Sequence, residues 1–532
     1  MFNYFGKYCL THGAMIRPLN LPNDDNEYVG TCNPSVFIDN GRVRLILRKV
    51  NYALWNCDDE YKFTTQYGPL WYITKDGDGH LRTKNYLCEI NDNGFVSKLI
   101  NTEKFDKEPL WEFVGLEDAR LVRWNGKLYG TGVRRDTTTN GQGRMELSEL
   151  DEDGNEISRV RIKAPGDDSS YCEKNWMPIL DMPYHYVKWC EPVEVVKANP
   201  ETGECESVLF KHQPADLEYY NTNNMHIRGS SQVIPWGEYR IAITHLCELW
   251  INEKKQKSGA GYFEQFIVWD KDWNIIKMSE PFRFAGFGVE FTNGLAYDNG
   301  KFYIPFALQD NFSYMIEINE DIISNFIFNN NKEYGPYSLN GNAILEFFDK
   351  PCDSYNAARL GQLYYNDGYN APSMVLFERA CEYNTFKSKE DLYDIIYMCG
   401  KSIANMGNRN DAELGLWNKL IDLDMFRSEG YYMMSLYYTY RNRVSEAYTF
   451  AKLAYQLNNF KLGNVPDRLK IDSVDCEIQY IMCLYYTENY LDCIPMLEQL
   501  KASGKPNKKQ LGTIDAIMEV FTNNQKNKVR VL

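Results

Sequence analysis

The amino-acid sequence predicts a multidomain chain, an all-β five-bladed propeller followed by an all-α helical-repeat domain of tetratricopeptide type. Two observations carry this. One hairpin pattern recurs five times before about residue 330, and alternating periodicity gives way to helical periodicity after about residue 345. The length of 532 residues, several times that of a usual domain, already calls for more than one.

The recurring unit is a polar or small lead-in, a short apolar strand, a turn and a second strand rich in β-branched or aromatic residues. It occupies 33–52, 117–136, 175–192, 229–248 and 291–310. Four of the five turns carry Gly (DNGR, WNGK, PWGE, DNGK), where a hairpin needs positive φ. Strand-like stretches between the units, such as GPLWYITKDGDGHL and YFEQFIVWDKDWNIIKM, bring each cycle to about four strands, the content of a propeller blade. The segments 357–383, 391–423, 431–457 and 475–500 each read as two amphipathic helices joined by a polar turn. Their aromatic and small residues partly match the tetratricopeptide pattern, and Tyr-rich stretches such as SLYYTYR are expected to pack between helices. The domains are placed at 1–345 and 346–532.

With 44% apolar and 25% charged residues the composition is that of a soluble globular protein, and a net charge of -15 opposes loose binding to nucleic acid or anionic lipid. No apolar window approaches the roughly 20 residues of a membrane helix, and the N-terminus lacks the pattern of a signal peptide. The fourteen cysteines form no CxxC pair, as in a reducing compartment. A cytoplasmic protein without a membrane anchor is expected, with no cofactor and no metal. DGDGH and DEDGN lack the terminal Glu of a calcium loop, and the acid pairs Asp58-Asp59 and Asp167-Asp168 make no convincing metal site for a nucleotide sugar.

In a propeller the innermost strands line one channel, so lead-ins far apart in sequence converge. This gathers Asn33 and Ser35, Glu117, Asp118 and Arg120, Lys174 and Asn175, His226, Arg228, Ser230, Ser231 and Gln232, and Glu290, Thr292 and Asn293. The second-strand ends add Arg48, Asn51, Tyr52, Arg134, Arg135, Asp136, Glu191, His245, Gln309 and Asp310. Polar lead-ins also close blades in inert propellers, so a structural role stands beside a functional one for each.

GLEDAR (115–120) followed by a Gly-turn hairpin, EKNWMP (173–178) and NPSVF (33–37) resemble motifs of glycoside hydrolase family 130. The members of that family are five-bladed propellers, mostly inverting phosphorylases of β-mannosides, and a group of mannosyltransferase-phosphorylases shares the fold. The resemblance spans roughly residues 25 to 315, in blade order, with Ala119 where the family has Pro. It implies an enzyme transferring a glycosyl group, an inverting glycoside phosphorylase or its reverse, with Asp118 as catalytic acid passing its proton through a sugar hydroxyl.

Inverting chemistry needs an acid for the leaving oxygen and a nucleophile on the other face. Water requires a second carboxylate as base, whereas phosphate requires cations. Inorganic phosphate or a sugar phosphate is therefore the expected co-substrate. Phosphate-binding candidates are Arg48, Lys174 and Arg228, with His226 and Arg134. Substrate-binding candidates are Asn33, Ser35, Tyr52, Glu117, Arg120, Asn175, Trp176, Ser231, Glu290, Asn293 and Asp310, with Tyr52 and Trp176 as stacking rings. Glu117 is expected to raise the pKa of Asp118 if both face one site, and Arg120 to pair with Glu117. Asp310 or Glu290 facing Asp118 across a water would favour hydrolysis instead. The alternatives are a glycosyltransferase using an activated donor on a glycan, protein or nucleic-acid acceptor, and a non-catalytic glycan-binding scaffold. The expected partners are a carbohydrate and, through the helical repeats, a protein or acceptor.

Overall fold

The computed structural model describes the chain except residues 1–3, 23–27, 57–69, 75–77, 92–93, 167, 213–224, 252–256, 329–340, 408–410, 460–470, 488–491 and 530–532. Asp58, Asp59, Asp167 and the side chain of His226 lie outside the described residues. Two compact units divide at Leu376/Phe377.

The first unit holds a five-bladed β-propeller. Its antiparallel blades run outward from the axis: Gly30–Asp39, Arg42–Val50, Leu81–Asn91 and Gly94–Leu99 in blade one; Glu117–Trp124, Lys127–Arg134, Arg144–Leu150 and Glu156–Arg161 in blade two; Met177–Pro178, His185–Cys190, Val193–Ala198 and Cys205–Lys211 in blade three. Blade four places Met225–Gly229 and Ile234–Trp236 innermost, then Tyr239–Ile251, Lys257–Trp269 and Ile275–Met278. Blade five places Glu290–Phe291 and Ala296–Asp298 innermost, then Lys301–Leu308 and Phe312–Asn319. Its outermost strand is Met15–Pro18 from the other end of the chain, which pairs antiparallel with Phe312–Asn319 and closes the ring. The Asn-Gly turns at 40–41, 125–126 and 299–300 have positive φ at both residues, the geometry that matches strand twist in a two-residue hairpin.

Apolar alternation along each strand fills the wedges between blades. Ile46, Leu121 and Leu150 lie between blades one and two, Val122, Trp124, Trp176 and Tyr186 between two and three, and Met177, Leu246, Ile267 and Trp269 between three and four. Each such side chain contributes about 1.5–3 kcal/mol by leaving water. Below the pocket the axis is bridged by polar side chains. Gln232 Nε2 donates to Ser35 Oγ (2.8 Å), Val36 O (2.9 Å) and Leu121 O (2.9 Å), while Gln232 Oε1 accepts from the Leu295 N–H (3.2 Å). One amide thus ties blade four to blades one, two and five.

The division between units differs from the boundary expected at 345, because the first helices after the propeller pack on blade five. In Ala343–Asp349, Phe348 stacks edge-on against Phe306 and Tyr314, and in Ser354–Asn366 the Tyr364 hydroxyl meets that of Tyr314 at 2.9 Å. The second unit is helical, with Lys389–Asn405, Asp411–Leu423, Ser428–Tyr440, Val444–Asn459, Ser473–Tyr486, Cys493–Ala502 and Lys508–Val529 in sequence. Its tyrosines pack between helices, as the sequence suggests: Tyr438 stacks on Phe450 at 5.5 Å and Tyr455 on Tyr480 at 4.9 Å. Among the described residues no helix is long and apolar enough to cross a membrane, and the cysteines are free thiols.

Candidate active site

Three blades begin their axial approach with a residue in the left-handed region: Asn33 (φ 48°), Asp118 (φ 51°) and Asn175 (φ 63°). Blade five adds Gln309 (φ 53°) and Asp310 (φ 51°) at the end of its second strand. This conformation costs a non-glycine residue on the order of 1 kcal/mol, least for Asn and Asp, and is retained where the surroundings over-determine it. In blades one and two the register slips beside it, between Cys32 and Ser35 and between Thr131 and Val133. The backbone kink lets neighbouring polar side chains meet at one mouth.

Their meeting point is Arg48, which is 4% exposed. Its guanidinium donates to Asp118 Oδ1 (2.9 Å), Thr83 Oγ1 (3.0 Å) and the Tyr52 hydroxyl (3.2 Å), and lies 3.9 Å from Glu117 Oε2. Asn33 Nδ2 donates to the same Asp118 oxygen at 2.8 Å. Burial pushes the Asp118 carboxyl up, but Arg48 and the Asn33 amide outweigh it and hold Asp118 below the usual carboxylate range. Glu117 goes the other way, raised by burial and by Asp118 against Arg48, Lys174 and Arg135. Asp310 is pushed up to about 6 by burial, with the charges of Asp118 and Glu117 adding to it against Arg48 and Lys174. The expected lift of Asp118 by Glu117 is therefore reversed, because Arg48 bonds Asp118 directly.

Lys174 is exposed and Arg228 half-buried, and neither has an ion pair among the described residues. The Lys174 charge still acts on Glu117, Asp118 and Asp310, and both cations act on His245. Asn33 Oδ1, Asn175 Oδ1, Glu117 Oε1 and Gln309 Oε1 are buried acceptors without a hydrogen-bond partner among the described residues. The mouth thus combines unused acceptors, suited to hydroxyl groups, with two uncommitted cations, suited to an anion.

Other candidates are taken up by the fold. Arg48 is committed to carboxylates and not open to phosphate. Arg134 is 5% exposed and bonds Glu146 (2.8 Å) and Asp136 (3.4 Å). Arg120, fully buried, does not pair with Glu117; it donates to the backbone carbonyls of Ser230 and Asp118, both at 2.8 Å. Trp176 is core, 1% exposed, with its indole N–H on Glu173 at 3.1 Å. Tyr52, 3% exposed and edge-on to Tyr72, buttresses Arg48 and offers no stacking face. Ser35 is bound to Gln232 at the axis, and Ser231 to the Gln232 carbonyl (2.7 Å) and the Ile243 N–H (2.8 Å). Asn293 Nδ2 donates to the Asn33 and Ala119 carbonyls at 3.2 and 3.0 Å. Glu290 accepts the backbone N–H groups of Phe284, Ala285 and Phe287, so its carboxylate is spent on a loop and does not face Asp118.

Three residues gain weight. Arg135 donates to the Tyr171 hydroxyl at 3.0 Å while its charge reaches Glu117. His245, expected at a strand end but midway along Tyr239–Ile251, is 1% exposed and contacts Ser230 at 2.9 Å. Glu264, fully buried, faces His245 across neighbouring strands. The sequence signal for Glu264 is an acid inside the apolar run GYFEQFIVW.

No protein-family model matches the chain, and no curated protein matches it. Several solved structures are similar at low identity. β-1,2-Mannobiose phosphorylase from Listeria innocua shares 14% identity over 61% of this chain and 98% of its own, with a TM-score of 0.35. A mannose phosphorylase from Leishmania mexicana, solved with a phosphate ion, shares 13% over 60% and 94%, with a TM-score of 0.34. A tetratricopeptide protein with an unusual peptide-binding site shares 12% over 32% and 79%, with a TM-score of 0.26. At these scores the likenesses carry no argument about chemistry, which rests on the residues.

Proposed function

We propose that the propeller is a carbohydrate-active enzyme that transfers a glycosyl group, as an inverting glycoside phosphorylase or its reverse. The observation that carries this reading is one mouth holding an ionised Asp118, an Asp310 with a pKa near 6, and the uncommitted cations Lys174 and Arg228. Inversion by phosphate needs a proton for the leaving oxygen and cations for the nucleophile, and no second carboxylate as base. In the free protein Asp310 takes up such a proton as pH falls through about 6. Asp118, ionised in the free protein, would accept a hydrogen bond from a sugar hydroxyl there; to act as the acid that the resemblance to family 130 implies, passing its proton through that hydroxyl to the leaving oxygen, it must first take up a proton in the complex. Asn33 and Asn175 orient the ring. The helical unit supplies a protein or acceptor contact, and the free thiols fit a reducing compartment such as the cytoplasm.

Asp310 and Asp118, pushed apart in pKa, are also an acid and base pair for water, which favours hydrolysis as the second reading. Incubation with sugar 1-phosphates and an acceptor panel separates the possibilities. Released phosphate supports the phosphorylase, and Asp118→Asn should lower its rate by at least about 100-fold. Consumption of a nucleotide sugar without phosphorolysis in either direction would overturn it in favour of a transferase with an activated donor.

A further inference from the structure

Blade three carries a row of side chains from the mouth toward its outer edge. Glu173 immediately precedes Lys174 and Asn175 in the lead-in of this blade, and Lys188 Nζ lies 3.7 Å from Glu173 Oε1 and 3.7 Å from Glu194 Oε2. Glu194 is the direct cross-strand partner of Trp189 on one side and of Phe210 on the other. Directly opposed residues share a face of the sheet, so Trp189, Glu194 and Phe210 stand in line on one face of three adjacent strands. The two rings are 44% and 60% exposed and flank a Glu194 that is 9% exposed. Strand spacing sets their backbones about 10 Å apart, more than the width of one sugar ring. On the strands of the other four blades the exposed large apolar side chains among the described residues are aliphatic: Met15, Val96, Leu99, Ile157 and Ile276.

We propose that Trp189 and Phe210 form a binding track for a neutral glycan chain that leaves the mouth along blade three, so that the substrate is an oligosaccharide or polysaccharide longer than a disaccharide. An aromatic ring stacks on the C–H face of a sugar, and a carboxylate or ammonium beside it bonds the hydroxyls at the sugar's edge. The row offers these groups in alternation, with Trp189 and Phe210 as faces, Glu194 as acceptor and Lys188 as donor. Two carboxylates to one ammonium disfavour an anionic chain. Protein interfaces are depleted of charge at their centre, whereas here a carboxylate sits between the two rings, which favours a sugar over a protein partner. The Lys188 link to Glu173 makes the row continuous with Lys174 and Asn175 at the mouth. Both rings lie outside the mouth, and their part is to hold the chain.

The inference rests on the proposed carbohydrate site for the direction of the chain, while binding by the track is read without turnover. The test is affinity electrophoresis of the full chain through gels holding soluble β-mannan, β-glucan or xylan, followed by calorimetry on an oligosaccharide series from the polymer that retards it most. The expected result is retardation by at least one polymer and an affinity that rises from disaccharide to hexasaccharide. In the double variant Trp189→Ala, Phe210→Ala, whose substitutions are both at exposed positions, the affinity for the hexasaccharide should fall by about 10-fold and its advantage over the disaccharide should disappear. No retardation by any of the three polymers, or retardation that the double variant keeps, would overturn the inference. So would a wild-type dimer in analytical ultracentrifugation that the double variant dissociates, which would assign the rings to contact between copies of the chain. A protein that binds a polymer through the two rings yet forms no sugar 1-phosphate from its oligosaccharides would sink the phosphorylase reading alone.

Discussion

Arg48 is the side chain on which the mouth depends, since one buried guanidinium holds Asp118, Thr83 and Tyr52 together. Arg48→Met should destabilise the fold by about 3–5 kcal/mol, the cost of leaving a buried partner charge uncompensated, as read by urea denaturation. The carboxylates give opposite pH signatures. Asp118, lowered in the folded state, contributes stability that is present above the unfolded-state value and is lost as pH falls through its own. Asp310, raised to about 6 from 3.8, contributes stability that is full below 3.8 and is lost as pH rises through about 6. Asp310→Asn should therefore remove a fall of about 2 kcal/mol between pH 4 and 6 in denaturation curves, after allowance for partial exposure.

The innermost strands explain why the site forms where it does. Asn33, Asp118 and Asn175 take left-handed backbone angles, and close backbone approach beside them requires glycine. A Cβ on Gly132 would lie 2.3 Å from the Glu117 carbonyl, and one on Gly229 2.2 Å from that of Asn175. Asn175→Gly should be tolerated and Asn175→Ala should cost about 1 kcal/mol, whereas Gly229→Ala should cost more, about 1–3 kcal/mol of overpacking; thermal melts of the three variants test this order. Much of this architecture was legible in the sequence. The five hairpins, their Asn-Gly turns, the convergence of lead-ins and the helical pairs all follow from periodicity and turn chemistry. What periodicity could not say is which converging polar group is spent on the fold. Ser35, Arg120, Glu290 and Asn293 read like Asn33 and Asp118 as lead-ins, yet Ser35, Arg120 and Asn293 bond groups of other blades, fixed only when the ring closes, and Glu290 bonds the backbone of the loop just before it. Glu264 was missed because it lies in an outer apolar strand, and its meeting with His245 depends on register. The pKa of Asp118 was misjudged because the neighbour in sequence, Glu117, matters less than Arg48, a neighbour only across blades.

Across the whole chain, all the site residues lie in the unit Met1–Leu376, and the ring is closed by its own strand Met15–Pro18. A fragment ending after the helix Asn370–Tyr383 should fold and keep its turnover of small sugar substrates within a few-fold of the full chain, while losing contacts that belong to the helical repeats. The chemistry assigned to the propeller makes a sharper demand, because phosphorolysis and hydrolysis of one glycoside leave different products. The deciding measurement is 31P and 1H NMR of the products formed from a glycoside the protein cleaves, in phosphate buffer, by the wild type and by Asp118→Asn. A sugar 1-phosphate of inverted anomeric configuration, absent with Asp118→Asn, is the result predicted. Free sugar as the sole product, or a sugar 1-phosphate formed undiminished by Asp118→Asn, would contradict it.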